Sequence, residues 1–403
     1  MYLSFLEPEK QLEILKKNAV DLVSESELLE KLKEKRPLRV KLGVDPSRPD
    51  LHLGHAVVLR KLKEFQDLGH HVILIIGDFT ARIGDPSGRN STRPMLSEEE
   101  VKKNANTYAE QAFKILDREK TEIRFNAEWL EKMNFADVIS LAGKYTVARM
   151  LERDDFAKRL KEGIPISISE FLYPLAQAYD SVAIQADVEL GGTDQLFNLL
   201  VGRKIQEEYD QKPQIVLTMP IIEGTDGKLK MSKSYGNYVA FNDEPSEMYG
   251  KIMSIPDELI TKYMRLLTDI PEKDIENYEK MMQSGKINPR DVKMKLAREI
   301  VSFFYDEETA KKAEENFIKV FRRKEIPDEM PELYFKPGEY NIVDLIDELK
   351  ILPSRSEIKR TIKQGGVYFN NQRIGNFKDT VIIENEHLLR IGKRKFYKIK
   401  AKS

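Results

Sequence analysis

The sequence of 403 residues contains no cysteine and a single tryptophan, Trp129. Without cysteine the chain can form no disulfide, no thiolate zinc site and no cysteine nucleophile. The sequence also has no apolar run long enough to span a bilayer, and its first residues lead into a charged segment rather than the apolar core of a signal peptide. We therefore expect a cytoplasmic protein with no membrane association.

Charge is nearly balanced over the whole chain, with a formal net charge of -1, but it is distributed unevenly. Residues 338–403 hold 14 lysines and arginines against 8 acidic residues. A basic module on an acidic body is typical of a protein that meets a polyanion such as RNA at one end, although a solvated basic tail has the same composition. The length allows two or three domains.

A strand, a tight turn and a helix are predicted around residues 39–55. The alternation of Arg39–Val44 indicates a short strand, two prolines end it, and apolar residues at helical spacing follow. His52 and His55 fall in the first turn of that helix, where unpaired amides favour an anion, and Gly54 would let a ligand approach the backbone. The stretch is a candidate nucleotide-phosphate site, although two histidines at this spacing also occur on ordinary polar surfaces.

The next segments indicate a parallel sheet with a ligand loop at its edge. His71–Gly77 is a continuous apolar run, as in a strand covered on both faces, so strand, helix and strand form a βαβ unit. The glycine-rich, basic segment 77–93 follows this strand directly, where parallel sheets bind ligands. In it, Asp85 is a candidate for binding an ammonium group, and Arg89 and Arg93 for binding phosphates. An ordinary solvated loop is the alternative.

Segment 97–165 is predicted to be mostly helical, and it interrupts the strand pattern as an insertion would. After it, Tyr173, Gln177 and Asp180 have the spacing i, i+4 and i+7, which places three polar groups on one helical face. Pro174 requires the helix to start or kink nearby. Taken alone, the pattern would indicate a polar outer face.

Two further glycine turns complete the pattern. Segment 186–195 predicts a strand, a glycine turn and the start of a helix, with Asp194 placed to accept hydrogen bonds from ribose hydroxyls. Another buried strand then leads into loop 224–237. Lys230 and Lys233 in this loop can close over a triphosphate and neutralise charge as pyrophosphate leaves.

The pair of motifs His52-Leu53-Gly54-His55 and Lys230-Met231-Ser232-Lys233-Ser234 resembles the HIGH and KMSKS signatures of class I aminoacyl-tRNA synthetases. Within that class, the Gly-x-Asp-Pro segment before the first motif, the Gly-Asp-Pro-Ser-Gly loop, the face of Tyr173, Gln177 and Asp180, and Gly191–Gln195 are similar to the bacterial tyrosyl-tRNA synthetases. The full lysine motif is more similar to the second bacterial subgroup than to the better-known one. The resemblance covers essentially the whole chain.

The resemblance implies a role for each of these residues. The phenol hydroxyl of tyrosine would be bound by Asp180, its ammonium by Tyr173, Gln177 and Asp85, and its carboxylate by Gln195. ATP would be bound by Gly43, Asp45, Gly54, Gly192, Asp194, Met231, Ser232 and Ser234. The transition state would be stabilised by His52, His55, Arg89, Arg93, Lys230 and Lys233. Lys41 stands where the better-known subgroup has a tyrosine that shares the phenol, so the hydroxyl contact rests more heavily on Asp180.

The implied reaction is the ligation of tyrosine to tRNA(Tyr), and it needs no enzyme nucleophile. The tyrosine carboxylate attacks the α-phosphorus of ATP, pyrophosphate leaves, and the tyrosyl group passes to the terminal ribose of the tRNA. Mg²⁺ is expected with ATP, and no protein metal site is expected. The family also implies a homodimer with its interface near residues 113–160.

The C-terminal end is predicted to be a small RNA-binding unit. Ser354 and Glu357 have capping-box spacing before a helix that ends at Gly365-Gly366, and strands and turns follow. The unit resembles the S-four-like RNA-binding module, named after a ribosomal protein. The resemblance implies that this helix meets tRNA phosphates through Arg355, Lys359, Arg360 and Lys363.

The expected architecture is α/β. It consists of a Rossmann-like parallel-sheet catalytic domain over residues 1–240 with a helical insertion near 113–165, a helical anticodon-binding domain over 241–326, a linker over 327–339, and a small α+β S-four-like RNA-binding domain over 340–403.

Three other functions stay open from sequence alone. A tryptophanyl-tRNA synthetase shares this architecture and would differ in the amino acid that drives pyrophosphate exchange into ATP. A cytidylyl- or adenylyltransferase can carry a similar histidine turn but would not need the basic C-terminal unit. A non-enzymatic RNA-binding protein on the same scaffold is the third, although no catalytic position is visibly lost.

Overall fold

The structure, a computed structural model, describes residues 6–46, 50–86, 98–319, 330–352, 354–392 and 395–402. The chain divides into two compact units. Unit 1 comprises Met1–Asp243 and Ile255–Val292, and unit 2 comprises Glu244–Ser254 and Lys293–Ser403. In the described ranges, no helix is both long enough and apolar enough to cross a membrane.

Unit 1 is built on a six-stranded sheet with the order β1-β6-β5-β2-β3-β4. Its strands are β1 (Asp21–Val23), β2 (Arg39–Val44), β3 (His71–Ile76), β4 (Thr121–Phe125), β5 (Val188–Gly192) and β6 (Ile215–Met219). All neighbouring strands are parallel except β1, which pairs antiparallel with β6. The continuous apolar runs in the sequence are the interior strands β3 and β6, and β6 is buried along its whole length.

The strand order reverses between β2 and β5. From β2 the chain moves outward through β3 to β4, and it then returns to the other side of β2 to form β5 and β6. In the register of the two central strands, Lys41 lies opposite Glu189. Parallel α/β sheets bind ligands at the carboxyl ends of the strands at such a reversal, so the topology places a site after β2 and β5.

Helices make up much of both units. Numbered in chain order, the helices before Asp243 are α1 (Pro8–Lys16), α2 (Glu25–Lys33), α3 (Leu53–Asp67), α4 (Thr80–Ile83), α5 (Glu98–Ala112), α6 (Ala127–Leu130), α7 (Phe135–Ala142), α8 (Val147–Met150), α9 (Asp154–Lys161), α10 (Ile168–Ala183) and α11 (Leu196–Glu208). The later ones are α12 (Pro245–Met253), α13 (Ile260–Leu267), α14 (Glu272–Gln283), α15 (Pro289–Phe304), α16 (Glu307–Ile318), α17 (Ile342–Glu348) and α18 (Arg355–Lys363).

Two helices of unit 1 place most of the site residues. The helix α3 follows β2 and buries an apolar face that includes Leu59, Leu62 and Phe65. The helix α10 packs against α11, and it starts at Ile168 and contains Pro174 in its interior, so the helix does not begin at this proline. These two helices frame the carboxyl ends of β2 and β5.

Two strands differ from the expectation from sequence. The first, β1, lies within residues 1–36, whose apolar spacing amid charged residues predicts helix, and β4 lies inside the segment near 113–165 that was expected to be a helical insertion. Both are edge strands of the sheet, and neither contains a fully buried residue. A short, half-exposed edge strand carries little of the apolar signal by which a strand is predicted.

Unit 2 contains α12, most of α15, and α16 to α18 together with seven strands. The strands are β7 (Glu332–Phe335), β8 (Gly338–Asn341), β9 (Val367–Phe369), β10 (Gln372–Arg373), β11 (Thr380–Ile383), β12 (Glu386–Ile391) and β13 (Lys395–Ala401). They form a five-stranded sheet, β10-β9-β12-β13-β7, and a two-stranded sheet, β11-β8. The predicted cap of α18 is confirmed, because the Ser354 side chain accepts a hydrogen bond from the Glu357 amide.

Candidate active site

A cavity of about 600 Å³ opens at the strand reversal of unit 1. It is lined by most of the residues that the sequence motifs single out, which are Gly43, Asp45, His52, Gly54, His55, Asp85, Tyr173, Gln177, Asp180, Gly192, Asp194, Gln195, Lys230, Met231, Ser232 and Ser234. A side chain built onto Gly43 would meet nothing within 4 Å, so this position leaves room for a ligand beside the strand. Arg89 and Arg93 lie outside the described residues.

The two histidines of the first motif form the cap of α3 rather than both lying on the helix. Nδ1 of His52 accepts from the Gly54 amide at 3.2 Å, and Nδ1 of His55 accepts from the His52 amide at 3.1 Å. The amides of Leu53 and His55 donate to carbonyl groups, of Val239 and His52 respectively. The amides that were expected to bind an anion are therefore engaged within the protein, which leaves that task to the imidazole rings.

Both rings are held in the neutral form. Burial lowers the pKa of His55 to about 4, and Lys233 contributes to the shift. Burial, His55 and Lys233 lower the pKa of His52 well below its usual value. Because each Nδ1 is an acceptor, the single proton of each neutral ring is on Nε2. Two Nε2–H donors are thus provided at the cavity without any buried positive charge.

The lysines of the second motif are each paired with a carboxylate. Lys230 Nζ lies 3.3 Å from Asp194 Oδ2, and Lys233 Nζ lies 2.6 Å from Asp50 Oδ2. The Lys233 side chain is only 10% exposed, whereas Lys230 is 45% exposed. Asp50 was not among the residues singled out from sequence. It precedes α3, and nothing in its local pattern indicates that it meets a lysine 183 positions away.

Asn237 holds the lysine loop in shape. Its Nδ2 donates to the carbonyls of Leu229 and Lys230 and to Asp226, and its Oδ1 accepts from the Ser232 amide at 2.8 Å. The residue is buried. One side chain thus fixes the backbone on both sides of Met231, within the motif, although sequence reasoning gave it no role.

The deepest carboxylate of the cavity belongs to Asp180. The Trp129 indole donates to its Oδ1 at 2.8 Å, and Asn126 donates to its Oδ2 at 3.3 Å. Burial raises the pKa of Asp180 to about 7, against the opposing charge of Lys41 and these hydrogen bonds. A buried carboxylate with these two donors can still accept a hydrogen bond from a ligand hydroxyl.

A second group of polar side chains lines the same cavity. The Tyr173 hydroxyl donates to Asp45 Oδ2 at 2.9 Å, and Gln195 Nε2 donates to Asp85 Oδ2 at 2.9 Å. Burial and the neighbouring Asp45 raise the pKa of Tyr173 well above its usual value, so its hydroxyl stays protonated. Two carboxylates and a phenol oxygen at one place suit a cationic ligand group.

Lys41 does not line the cavity. It lies beneath α10, where its Nζ is 2.7 Å from Ser181 Oγ, 3.0 Å from the Gln177 carbonyl and 3.0 Å from Glu189 Oε1. All three ammonium protons are therefore used by the protein. Lys41 consequently cannot take over the phenol contact that the better-known subgroup assigns to a tyrosine at this position.

The basic helix α18 belongs to unit 2. Arg355 is paired with Asp344 and Asp347, Arg360 is paired with Glu357 at 2.6 Å, and Lys359 lies over the ring of Phe377. Lys363 is exposed at the end of the helix. Four cationic side chains thus lie on one helix. Of these, Arg355 is the most strongly engaged with carboxylates of its own unit.

Comparisons with known proteins agree with this geometry. The family model described as tRNA synthetases class I (W and Y) matches residues 33–322, and that of a tyrosine–tRNA ligase SYY-like C-terminal domain matches residues 323–399. The tyrosine–tRNA ligase of Thermotoga maritima is 74% identical over 392 residues, which covers 97% of this chain and 98% of that relative. The tyrosine–tRNA ligase of Carboxydothermus hydrogenoformans is 57% identical and covers 98% of both chains.

The fold is also that of solved tyrosyl-tRNA synthetases. The crystal structure of the Archaeoglobus fulgidus enzyme complexed with L-tyrosine matches with a TM-score of 0.64 at 24% identity, and it covers 76% of this chain and 99% of that chain. The strand order of the sheet reverses at its centre, both motifs line one cavity there, and relatives match nearly the whole chain. The chain therefore belongs to the tyrosine–tRNA ligase family of class I aminoacyl-tRNA synthetases.

Proposed function

We propose that this cavity activates tyrosine with ATP and that the tyrosyl group then passes to tRNA(Tyr). The observation that carries the proposal is Asp180, a buried carboxylate that lines the same cavity as residues of both nucleotide motifs. An indole and an amide orient its two oxygens, and a phenol hydroxyl of the substrate would supply a further donor. Phenylalanine has no such donor and would leave the carboxylate buried without it.

The tyrosine backbone groups would bind nearer to the mouth. Its ammonium would lie among Asp85, Gln177 and the Tyr173 hydroxyl oxygen, and its carboxylate would accept from Gln195 Nε2. In the structure Gln195 donates to Asp85, so binding would exchange an internal hydrogen bond for one to the substrate. This arrangement would point the carboxylate of tyrosine away from Asp180 and toward the histidines.

ATP would bind between the two motifs, with its ribose at Gly192 and Asp194 and with Mg²⁺ carried on its phosphates. The tyrosine carboxylate oxygen would form a bond to the α-phosphorus while the bond from that phosphorus to the pyrophosphate oxygen breaks. His52 and His55 would donate through Nε2, and Lys230 and Lys233 would neutralise the departing charge. Arg89 and Arg93 are proposed to assist on the basis of sequence. Removing one such donor typically costs about 10² to 10³ in rate.

Transfer would follow at the same place. A ribose hydroxyl at the 3' end of the tRNA would attack the carbonyl carbon of the adenylate, and AMP would leave. The exposed cations of α18, Lys359, Arg360 and Lys363, together with Arg355, are proposed to contact tRNA phosphates, which would position the RNA without reading its bases. These steps place the protein in translation, and we propose the cytoplasm as its compartment.

We also propose that the protein is a homodimer. Helices α7 to α10 expose five large apolar side chains, Phe135, Ile139, Val147, Leu160 and Ile168, with exposed fractions from 58% to 80%. Large exposed apolar groups gathered in one stretch of a chain mark an interaction surface, and family membership favours a second copy as its occupant. We expect a dimer in sedimentation at micromolar concentration and a monomer for the variant Phe135→Glu/Ile168→Glu. A monomeric wild type would contradict this.

The experiment that tests the reaction is ATP–pyrophosphate exchange with tyrosine, tryptophan and phenylalanine in turn. We expect exchange with tyrosine alone, its loss in Asp180→Ala, and no change in Asp67→Ala, which removes an exposed carboxylate of α3. Exchange driven by tryptophan instead, or by none of the three, would overturn the proposed substrate. Exchange with tyrosine that survives Asp180→Ala would overturn the phenol contact while leaving the reaction in place.

A further inference from the structure

The buried ion pair between Lys41 and Glu189 lies directly behind the recognition face of α10. The two residues are opposite each other on β2 and β5, their Nζ and Oε1 atoms are 3.0 Å apart, and their side chains are 0% and 1% exposed. Neither residue lines the cavity. Two charges at the centre of a sheet are costly to bury, and a pair in which every donor and acceptor is used demands an explanation beyond packing.

The hydrogen bonds from the pair to α10 reach two residues. One is Gln177, itself a proposed tyrosine ligand, and the other is Ser181, which follows Asp180 in the chain. Lys41 donates to the Gln177 carbonyl and to Ser181 Oγ, which stand on either side of Asp180 along the helix. Glu189 accepts from Gln177 Nε2 at 3.2 Å and from Ser181 Oγ at 3.2 Å. The pair therefore fixes both the backbone that carries Asp180 and the orientation of the Gln177 amide.

Glu189 also accepts from Gln214, which directly precedes β6 and connects the carboxylate to α11. Gln214 Nε2 donates to Glu189 Oε2 and also to the Leu199 carbonyl of α11. On the cavity side, Asn198 of α11 donates to Gln177 Oε1 at 3.2 Å and to Gln195 Oε1 at 3.1 Å. Glu189 is thus the link that ties α10, α11 and the central strands to one geometry.

We propose that Lys41 and Glu189 act as a positioning pair that sets selectivity for the phenol hydroxyl of tyrosine without either residue touching the amino acid. The inference rests on the proposed function of Asp180 and Gln177 as tyrosine ligands. It assigns to an ion pair beneath the pocket the task that a direct side-chain contact performs in the better-known subgroup. Selectivity is then controlled by where α10 is held and by the charge behind Asp180.

The charges that face Asp180 give the pair a second measurable effect. They come from Lys41 on β2 and Glu189 on β5, while Trp129 and Asn126 contribute neutral donors and the nearby Tyr173 hydroxyl stays protonated and neutral. Lys41 lowers the pKa of Asp180 and Glu189 raises it. Removing Lys41 should therefore move the acidic limb of the pH profile of tyrosine-dependent exchange in one direction, and removing Glu189 should move it in the other. General loosening of the fold would move the limb in the same direction in both variants.

The test uses exchange kinetics of the full-length protein across pH with tyrosine and phenylalanine. For Lys41→Met we expect the KM for tyrosine to rise about tenfold or more, the KM for ATP to stay within about twofold, and the acidic limb to move upward by about one pH unit. For Glu189→Gln, which keeps the side-chain shape, we expect the limb to move downward. Limbs that move in the same direction, or an unchanged tyrosine KM in both variants, would overturn the proposal.

Two further variants guard against simple unfolding. Lys31→Met removes another buried lysine of the same unit, paired with Asp187 at 3.3 Å at the amino ends of β2 and β5, and should leave selectivity and the pH profile unchanged. Lys41→Met/Glu189→Met replaces the pair by apolar side chains, an exchange that proteins often tolerate, and should fold yet lose about tenfold of the tyrosine over phenylalanine preference. A double variant with wild-type selectivity would overturn the proposal. Failure of the wild type to exchange with tyrosine would instead overturn the proposed function.

Discussion

Lys233 Nζ and Asp50 Oδ2 are 2.6 Å apart, so a carboxylate just before α3 holds the second lysine of the loop. A phosphate must displace Asp50 to gain that ammonium. We expect Asp50→Asn to lower the KM for ATP about two- to fivefold, the scale of a partly exposed ion pair, with little change in kcat. The measurement is exchange rate against ATP concentration.

The control for this substitution is Asp269→Asn, which removes an exposed carboxylate paired with Arg60, away from the cavity. It should leave the KM for ATP unchanged. A higher KM in Asp50→Asn would show that Asp50 orients the lysine toward ATP rather than competing with it.

Asn237→Ala should slow adenylate formation while leaving tyrosine binding intact. The variant removes the bonds that fix the backbone at Leu229, Lys230 and Ser232. Both lysines then lose their positions for the departing pyrophosphate, so we expect kcat for exchange to fall about 10- to 100-fold, less than for Lys233→Ala. The KM for tyrosine, measured in the same assay, should stay within about twofold.

A remote asparagine provides the comparison. Asn18 also donates to a carbonyl, that of Arg265, and Asn18→Ala should reduce stability without slowing exchange. Equal kinetic losses in the two variants would mean that Asn237 acts through stability alone.

Asp180→Asn should make the folded protein more stable at alkaline pH while abolishing tyrosine selectivity. Burial raises the pKa of Asp180 from its ordinary 3.8 to about 7. A carboxyl with a raised folded pKa destabilises the fold progressively as pH rises from about 4 to about 7, by up to about 4 kcal/mol, and the loss is constant above that range. Denaturant unfolding of both proteins at about pH 5 and about pH 8 should show a gap that widens with pH.

Asp187→Asn is the control of opposite sign. Burial alone would raise the pKa of Asp187, but hydrogen bonds from Arg36 and from the Arg39 amide outweigh it and lower that pKa. Stability from this carboxylate is present at neutral pH and is lost as pH falls through the lowered value. The variant should therefore be less stable than wild type near pH 7, with a gap that narrows in acid. Gaps of the same sign in both variants would contradict the opposite pKa shifts of the two carboxyls.

His55→Asn should lower the rate of pyrophosphate exchange. It should also make the free energy of unfolding depend less on pH in the acid range. Burial lowers the pKa of His55 from 6.5 to about 4. The buried ring stays neutral while the histidine of the unfolded chain gains a proton. The free energy of unfolding therefore falls as pH falls from about 6.5 to about 4, by up to about 3 kcal/mol. Asparagine keeps an acceptor for the His52 amide without titrating, so the unfolding free energy of the variant should fall less over this range.

His70 separates the two effects. Burial lowers its pKa to about 4 as well, and its ring bonds to the Leu38 amide and to Gln11, which do not line the cavity. His70→Asn should show the same reduced acid sensitivity with an unchanged exchange rate at pH 7. An exchange defect equal to that of His55→Asn would argue against a direct role for His55.

Arg360→Ala and Lys363→Ala should each weaken tRNA binding and reduce the salt dependence of binding by about one phosphate contact. Arg355→Ala should have a smaller effect on binding because its guanidinium is engaged with Asp344 and Asp347. Filter binding at several salt concentrations measures this, and tRNA-independent exchange should not change. Lys10→Ala, on an exposed face of α1, is the control, and an equal loss there would indicate only a general charge effect.

The elements that are predicted correctly from the sequence are those specified by residues close together in the chain. The apolar run of β3, the periodic face of α3 and the Ser354 cap of α18 each need only neighbouring residues to be recognised. The short strands β1 and β4 depend on partners far along the chain, so half-exposed residues with weak local preference were expected to be helical. Pro174 lies inside α10, which packs against α11, so the proline does not mark the start of the helix.

The candidate site divides in the same way. Residue types within the two motifs were sufficient to indicate nucleotide chemistry, and the i, i+4, i+7 spacing was sufficient to place Tyr173 and Asp180 on one face. The partners that tune them, such as Asp50 for Lys233 and Trp129 for Asp180, are joined only by the fold. Asn126 and Asn237 carry no recognisable local pattern and become visible only through their hydrogen bonds.

The register that sets Lys41 against Glu189 also limits which sequences can be reached from this one by single substitutions. Loss of either partner leaves a buried charge alone and costs about 3 to 5 kcal/mol, a large part of the roughly 5 to 15 kcal/mol that separates a folded domain from its unfolded chain. A lineage with this pair therefore reaches a tyrosine at position 41 only through an intermediate that has lost one partner of the pair, whichever of the two positions changes first. The two positions should therefore vary together among relatives, and the pocket type should persist within whole branches of the family.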